Sequence, residues 1–138
     1  MFRQRKNLKF LYVFTITVAS LRIVYGVTTI TNNNFASAIS TCLSTNPVDG
    51  LCSSSEYGSM PDWDTSQVTS MSEAFKENSN FNANIGSWDT SRVRSMSEAF
   101  YGCSVFNQNI GSWDTSQVTD MEEMFEDAYA FNQNIGGW

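Results

Sequence analysis

The 138-residue chain contains no histidine. That removes the side chain most used as a general base near neutral pH, the commonest metal ligand and the usual activator of a cysteine or serine nucleophile. Proline is confined to Pro47 and Pro61, and cysteine to Cys42, Cys52 and Cys103. Basic residues are equally sparse. Arg3, Arg5, Lys6, Lys9 and Arg22 lie in the first 26 positions, and only Lys76, Arg92 and Arg94 lie beyond, against fourteen acids. The formal charge is −6, and −11 once the N-terminus is set aside, since three basic residues then face fourteen acids. Such a surface repels phosphate backbones and anionic lipid, which argues against nucleic acid and membrane surfaces as partners. There is no glycine-rich phosphate loop and no metal-ligand spacing. Neither an enzyme nor a cofactor is expected.

Long hydrophobic runs are also missing. The longest, Phe10 to Leu21, has twelve residues and follows the basic opening MFRQRKNLK. Its length suits a signal-peptide core and is short for a membrane span. Residues 1–26 therefore read as a signal peptide, with Val24-Tyr25-Gly26 at the cleavage site. An uncleaved anchor is the alternative, although Arg22 ends the apolar run early. Either way the remainder is exported, without a membrane span in the mature chain, and reaches a compartment that permits disulfides.

What is present is a repeat. Trp63–Ser87, Trp88–Ser112 and Trp113–Gly137 are three copies of one 25-residue unit, and Trp138 would open a fourth. A fixed period of this length points to units that pack only on their neighbours, because one copy cannot bury enough apolar surface to fold alone. In the middle copy the large apolar positions are Trp88, Val93, Met96, Phe100, Phe106 and Ile110. Ser95-Met96-Ser97-Glu98 has capping-box spacing, as do Ser70…Glu73 and Asp120…Glu123, which predicts a short helix through Phe100. Phe106 to Trp113 reads as a short strand followed by a turn, with strands of successive copies pairing in parallel.

Residues 27–62 read as an N-terminal cap and connector. Phe35, Ile39, Cys42 and Leu43 share one helical face. Asn34 is placed to cap that helix, and Asn46-Pro47 to stop it. Cys42 and Cys52 bracket the turn at Val48-Asp49-Gly50, and in an oxidising compartment they are expected to be bonded. Cys103 reads as a small buried thiol, because the chain has no histidine to activate it; a nucleophile or an intermolecular bridge is the alternative.

Stacking places equal positions side by side. Asn82, Asn107 and Asn132 form one column and Asn84, Asn109 and Asn134 another. They read as a ladder in which each amide bonds the next coil. The alternative is a polar binding face of Asn82, Asn84, Asn107, Gln108, Asn109, Asn132, Gln133 and Asn134. Asp64, Asp89 and Asp114 form a third column, and like charges that close must be compensated. Each can accept N–H bonds from the Thr-Ser that follows. A calcium ion bridging the column is the other possibility.

The pattern Val-x-x-Met-x-x-Ala-Phe-x-x-Cys-x-x-Phe, Val93 to Phe106, resembles the leucine-rich repeat of BspA-type surface proteins. WDTS-x-V-x-x-M…F…FNQNIG is similar to the tandem surface-lipoprotein repeat grouped with that family, over Trp63 to Trp138. Leu51 to Trp63 looks like the usual lead-in. The resemblance implies a leucine-rich-repeat-like solenoid, so that with the short parallel strands, short helices and disulfide-pinned helical cap read above the expected fold is an α/β repeat. It implies display at the cell surface, adhesion and partner binding, and no catalytic residues. The stretch from Phe106 to Val118 is longer than in the shorter BspA repeat, and no lipobox cysteine stands near the cleavage site.

The expected function is an exported or surface-displayed module that binds extracellular protein or glycan. A structural spacer or wall component without a specific ligand is the alternative. The sequence stops one residue into a repeat, so a fragment of a longer array is expected. The coil with Phe125, Phe131 and Ile135 would leave an open apolar edge capable of self-association.

Overall fold

The computed structural model describes residues 28–138. The signal peptide expected at 1–26 lies outside the described residues. Helix α1, Phe35–Leu43, buries Phe35, Ala38, Ile39, Cys42 and Leu43, which is the face that the periodicity marks. Cys42 and Cys52 are joined by a disulfide with Cα atoms 5.3 Å apart, across the turn that follows α1. Gly50 lies inside this closed loop at φ +64, and a Cβ there would meet that of Met60 at 2.9 Å. Asn34 does not cap α1. Its Oδ1 accepts from the Thr31 N–H at 2.8 Å and its Nδ2 donates to the Thr29 carbonyl at 2.9 Å, so it braces the turn before the helix. The Phe35 N–H is taken by the Thr31 carbonyl instead.

The three repeats form three coils stacked one on the next, with the short 3-10 helix Met60–Asp62 leading in. The expected leucine-rich-repeat-like solenoid of strands and helices does not form. Among the described residues α1 is the single α-helix. The isolated parallel bridges Ser70 to Ser95 and Ser95 to Asp120 are their only β pairing, so there is no sheet.

Backbone bonding shows why. Met71, Glu73, Phe75 and Glu77 donate their N–H groups to the carbonyls of Ser95, Ser97, Ala99 and Tyr101 in the next coil, at 2.7–2.9 Å. The intervening N–H groups of Ala74, Lys76 and Asn78 turn back to Met71, Glu73 and Phe75. The second coil repeats this: Met96, Glu98, Phe100 and Gly102 donate to Asp120, Glu122, Met124 and Glu126 at 2.8–3.0 Å. A helix needs every interior N–H to return along its own chain. Here every second one leaves for the neighbour. The capping-box glutamates Glu73, Glu98 and Glu123 sit at φ 57, 54 and 52, a left-handed conformation that cannot continue a right-handed helix.

Phe106 to Trp113 is not a strand either. The alternation is there, since Phe81, Ala83 and Ile85 are buried while Asn84 is exposed. Yet this stretch pairs with its neighbours through side chains, described below. The core is instead built from aromatic columns. Phe75, Phe100 and Phe125 stack at 5.4 and 5.6 Å between centroids. Phe81, Phe106 and Phe131 stack beside them at 5.6 and 5.9 Å. Trp63 stacks on Trp88 at 5.9 Å and Trp113 on Trp138 at 6.4 Å. Phe35 of α1 packs edge-on against Trp88 at 5.6 Å, so the helix covers the first coil's core. At the other end Phe125, Phe131 and Ile135 are only half-buried.

Candidate functional site

The polar face runs along the FNQN stretches. Asn82 Oδ1 accepts the Asn107 N–H at 3.0 Å and Gln108 Nε2 at 2.9 Å. Asn107 Oδ1 accepts the Asn132 N–H at 2.9 Å and Gln133 Nε2 at 2.8 Å. The column is thus a ladder in which the Asn82 and Asn107 amide oxygens bond the next coil, through its main-chain N–H and its glutamine side chain. The side chain supplies the acceptor that a strand would take from its neighbour's backbone, which is why no sheet forms here. In the first coil Ala83 occupies the glutamine position and is fully buried.

Asn84, Asn109 and Asn134 make no ladder. Each accepts the N–H of the glycine two residues on, at 3.3, 3.1 and 3.0 Å, closing a local turn. Among the described residues, the Nδ2 groups of both asparagine columns donate to no other protein group. Asn82 and Asn107 thus spend their oxygens on the next coil, Asn84, Asn109 and Asn134 theirs on a local turn, and Gln108 and Gln133 their amide N–H groups on the ladder.

The aspartate column has a different role. Asp64, Asp89 and Asp114 accept the N–H of Ser66, Ser91 and Ser116 at 3.0, 3.0 and 2.9 Å. The serine hydroxyl, and then its N–H, hold each carboxyl below its ordinary value of 3.8. The neighbouring aspartates push Asp89 weakly the other way. Compensation is therefore local to each coil.

Sequence reasoning missed three structural positions in the same loop. Thr65 and Thr90 are buried, and their hydroxyls donate to the carbonyls of Asp89 and Asp114 at 3.0 Å, locking adjacent coils. Trp88 and Trp113 donate Nε1 to the carbonyls of Met60 and Ile85. Gly86 and Gly111 let the next coil pass: a Cβ at either would lie 2.3 Å from the carbonyl oxygen of Asn109 or Asn134. The signal was the invariance of Thr and Gly across the copies.

Cys103 is buried, and its thiol donates to the Phe75 carbonyl at 3.0 Å. Burial pushes its pKa up to about 12. Lys76 forms the one ion pair among the described residues, with Glu98, and lies over the Tyr101 ring.

The family described as Mycoplasma protein of unknown function, DUF285, matches residues 49–138, which span the connector and all three coils. The chain belongs to this family. DUF285 members are surface-protein-like repeats of no established function. The match supports the surface-repeat part of the resemblance and not its leucine-rich part, whose fold the stacked coils overturn. No curated protein and no solved structure matches the chain.

Proposed function

We propose that this DUF285 chain is a non-catalytic, extracellular or surface-displayed module that binds protein or glycan through its asparagine–glutamine face. The observation that carries the reading is the division of labour in the asparagines. The oxygens of Asn82 and Asn107 build the ladder and those of Asn84, Asn109 and Asn134 close local turns, while the Nδ2 groups of both columns donate to no other described group. Such an array suits hydroxyl and carbonyl acceptors, which glycans and polypeptides both present. The leader-like N-terminus and the Cys42–Cys52 disulfide support export, and among the described residues no helix is long and apolar enough to cross a membrane. A non-catalytic role is supported by the absence of histidine and by the buried thiol of Cys103.

An immobilised panel of extracellular proteins and glycans tests the reading. Binding of the intact chain should fall when Asn84, Asn109 and Asn134 are changed together to aspartate, which keeps the turn-closing oxygen and removes the donor. Absence of any binding to the panel, with the fold intact, would favour the second reading. That reading is a structural spacer or wall component, and the employment of Asn82 and Asn107 in the ladder favours it.

A further inference from the structure

A planar trans peptide points its N–H and its carbonyl in opposite directions. Met71, Glu73 and Phe75 donate their N–H groups forward to the second coil, so the carbonyls of Ser70, Ser72 and Ala74 point back toward α1. The counterparts of these carbonyls in the second coil, Ser95, Ser97 and Ala99, each accept an N–H from the first coil at 2.9 Å. Among the described residues, no donor answers Ser70, Ser72 or Ala74. α1 cannot supply one, since a helix returns its interior N–H groups along its own chain. Between the two lies a hollow of about 770 Å³, with Phe35, Ile39 and Leu43 of α1 on one wall and Ser70, Ser72 and Ala74 on the other.

Both walls belong to the described chain, and the row is finished at each end by a side chain. Asn32 Oδ1 accepts the N–H groups of Thr69 and Ser70 at 3.1 Å. At the far end Asn78 Nδ2 donates to the Lys76 carbonyl at 3.2 Å. The matching carbonyls of Tyr101 and Glu126 take a backbone N–H from the preceding coil instead. Asn78 stands where the later coils have Cys103 and Ala128, so this donor belongs to the first coil alone. Three acceptors at alternate residues remain open between these closures. In the second coil the same three positions are met by alternate N–H groups of one chain, which recur about every 7 Å in an extended backbone. Glu73 is the one charged side chain lining the hollow, and α1 carries none. The groove therefore calls for backbone donors in a row, an apolar side chain and a positive charge.

We infer that the groove between α1 and the first coil binds an extended polypeptide segment of another protein, whose alternate N–H groups donate to the carbonyls of Ser70, Ser72 and Ala74. An apolar side chain of that segment rests on the wall made by α1. A lysine or arginine answers Glu73. This surface is distinct from the asparagine–glutamine face and does not rest on the reading given to that face.

NMR of the full chain with a short peptide alternating alanine and lysine tests this. The carbonyl carbons of Ser70, Ser72 and Ala74 should shift on titration, while those of Ser95, Ser97 and Ala99, already bonded, should stay in place. N-methylation of every alanine, or of every lysine, removes one of the peptide's two alternating sets of N–H groups. One of these two peptides should bind at least about tenfold more weakly and the other should lose much less. Ser40→Trp, which fills the groove from the exposed side of α1, should weaken the unmethylated peptide to the same degree. The methylated pair leaves the chain unchanged, so it decides the matter should that variant fail to fold. Equal effects of the two methylations would overturn the proposal, as would an unshifted row or undiminished binding by a folded Ser40→Trp chain. The same carbonyl shifts with spermine would mean that charge alone suffices, and with a cello-oligosaccharide that hydroxyls do, and either would overturn it. So would carbonyls already bonded in the free monomer, which would mean that the chain fills its own groove.

Discussion

Gly86 and Gly111 illustrate how little room one coil leaves the next. With a Cβ 2.3 Å from a neighbouring carbonyl oxygen, Gly86→Ala or Gly111→Ala forces the coils apart, at a cost of about 1–3 kcal/mol by chemical denaturation. Gly136→Ala meets only the end of the Asn134 side chain at 3.2 Å, so it should change stability by about 0.5 kcal/mol or less. The carboxylates give a pH signature with two signs. Asp64, Asp89 and Asp114 have folded values below 3.8, so their contribution is present above that pH and is lost as acid titrates through the lower folded values. The urea midpoint should drop there, and less steeply in Asp89→Asn. Glu123 is shifted upward from 4.5, so its ionisation disfavours the fold as pH rises through its raised value. Glu123→Gln should therefore raise the midpoint at neutral pH and make no difference near pH 3. The serine-bonded aspartates were legible in the sequence because a turn of this kind needs only residues two apart. The left-handed glutamates were not, since Glu73, Glu98 and Glu123 carry no mark of their backbone conformation.

At the level of elements, α1 was legible and the repeat's elements were not. The helix has its own amphipathic spacing and a proline beyond it, so local information suffices. Inside the repeat, a capping-box spacing and a two-residue alternation both suggested regular structure. What decides the conformation is a partner 24 or 25 residues away, taking every second N–H in one stretch and supplying a side-chain oxygen in another. Far-UV circular dichroism should accordingly show weak helical and weak strand signals in a chain that still unfolds cooperatively. The clamp on α1 is separable. Replacing Cys42 and Cys52 by serine should cost about 3 kcal/mol for a loop of this size. Cys103, by contrast, should stay unlabelled by thiol reagents until the chain is denatured. Among the aromatic columns, Phe100→Ala removes a ring packed on Phe75, Phe106, Trp113 and Phe125 and should cost about 3–5 kcal/mol. Phe131→Ala, at the half-buried end, should cost clearly less in the same titration.

Across the whole molecule, stability should follow position in the stack. The second coil has neighbours on both sides, the first has α1, and the third has one neighbour. Each unit draws its stability from adjacent ones. Native-state hydrogen exchange should therefore find the amides of Glu73, Phe75, Glu98 and Phe100 slowest. Those of Ala128 and Phe131 should be markedly faster. A uniform protection pattern would mean that the coils unfold as one block.

The one-way bonding between coils has a consequence for how the molecule comes into being. A chain is made from its N-terminus, so α1 and its disulfide loop are complete before the coils. Each coil then emerges with half of its turn-segment donors unanswered until its successor is translated. Each newcomer finds a prepared template: rings to stack on, donors awaiting its carbonyls and an asparagine oxygen awaiting its N–H. The growing tip presents the same row of backbone donors after each of the first two coils. Length can therefore change by whole units of 25 without redesign of the junction, which is the grammar that an array of near-identical coils records.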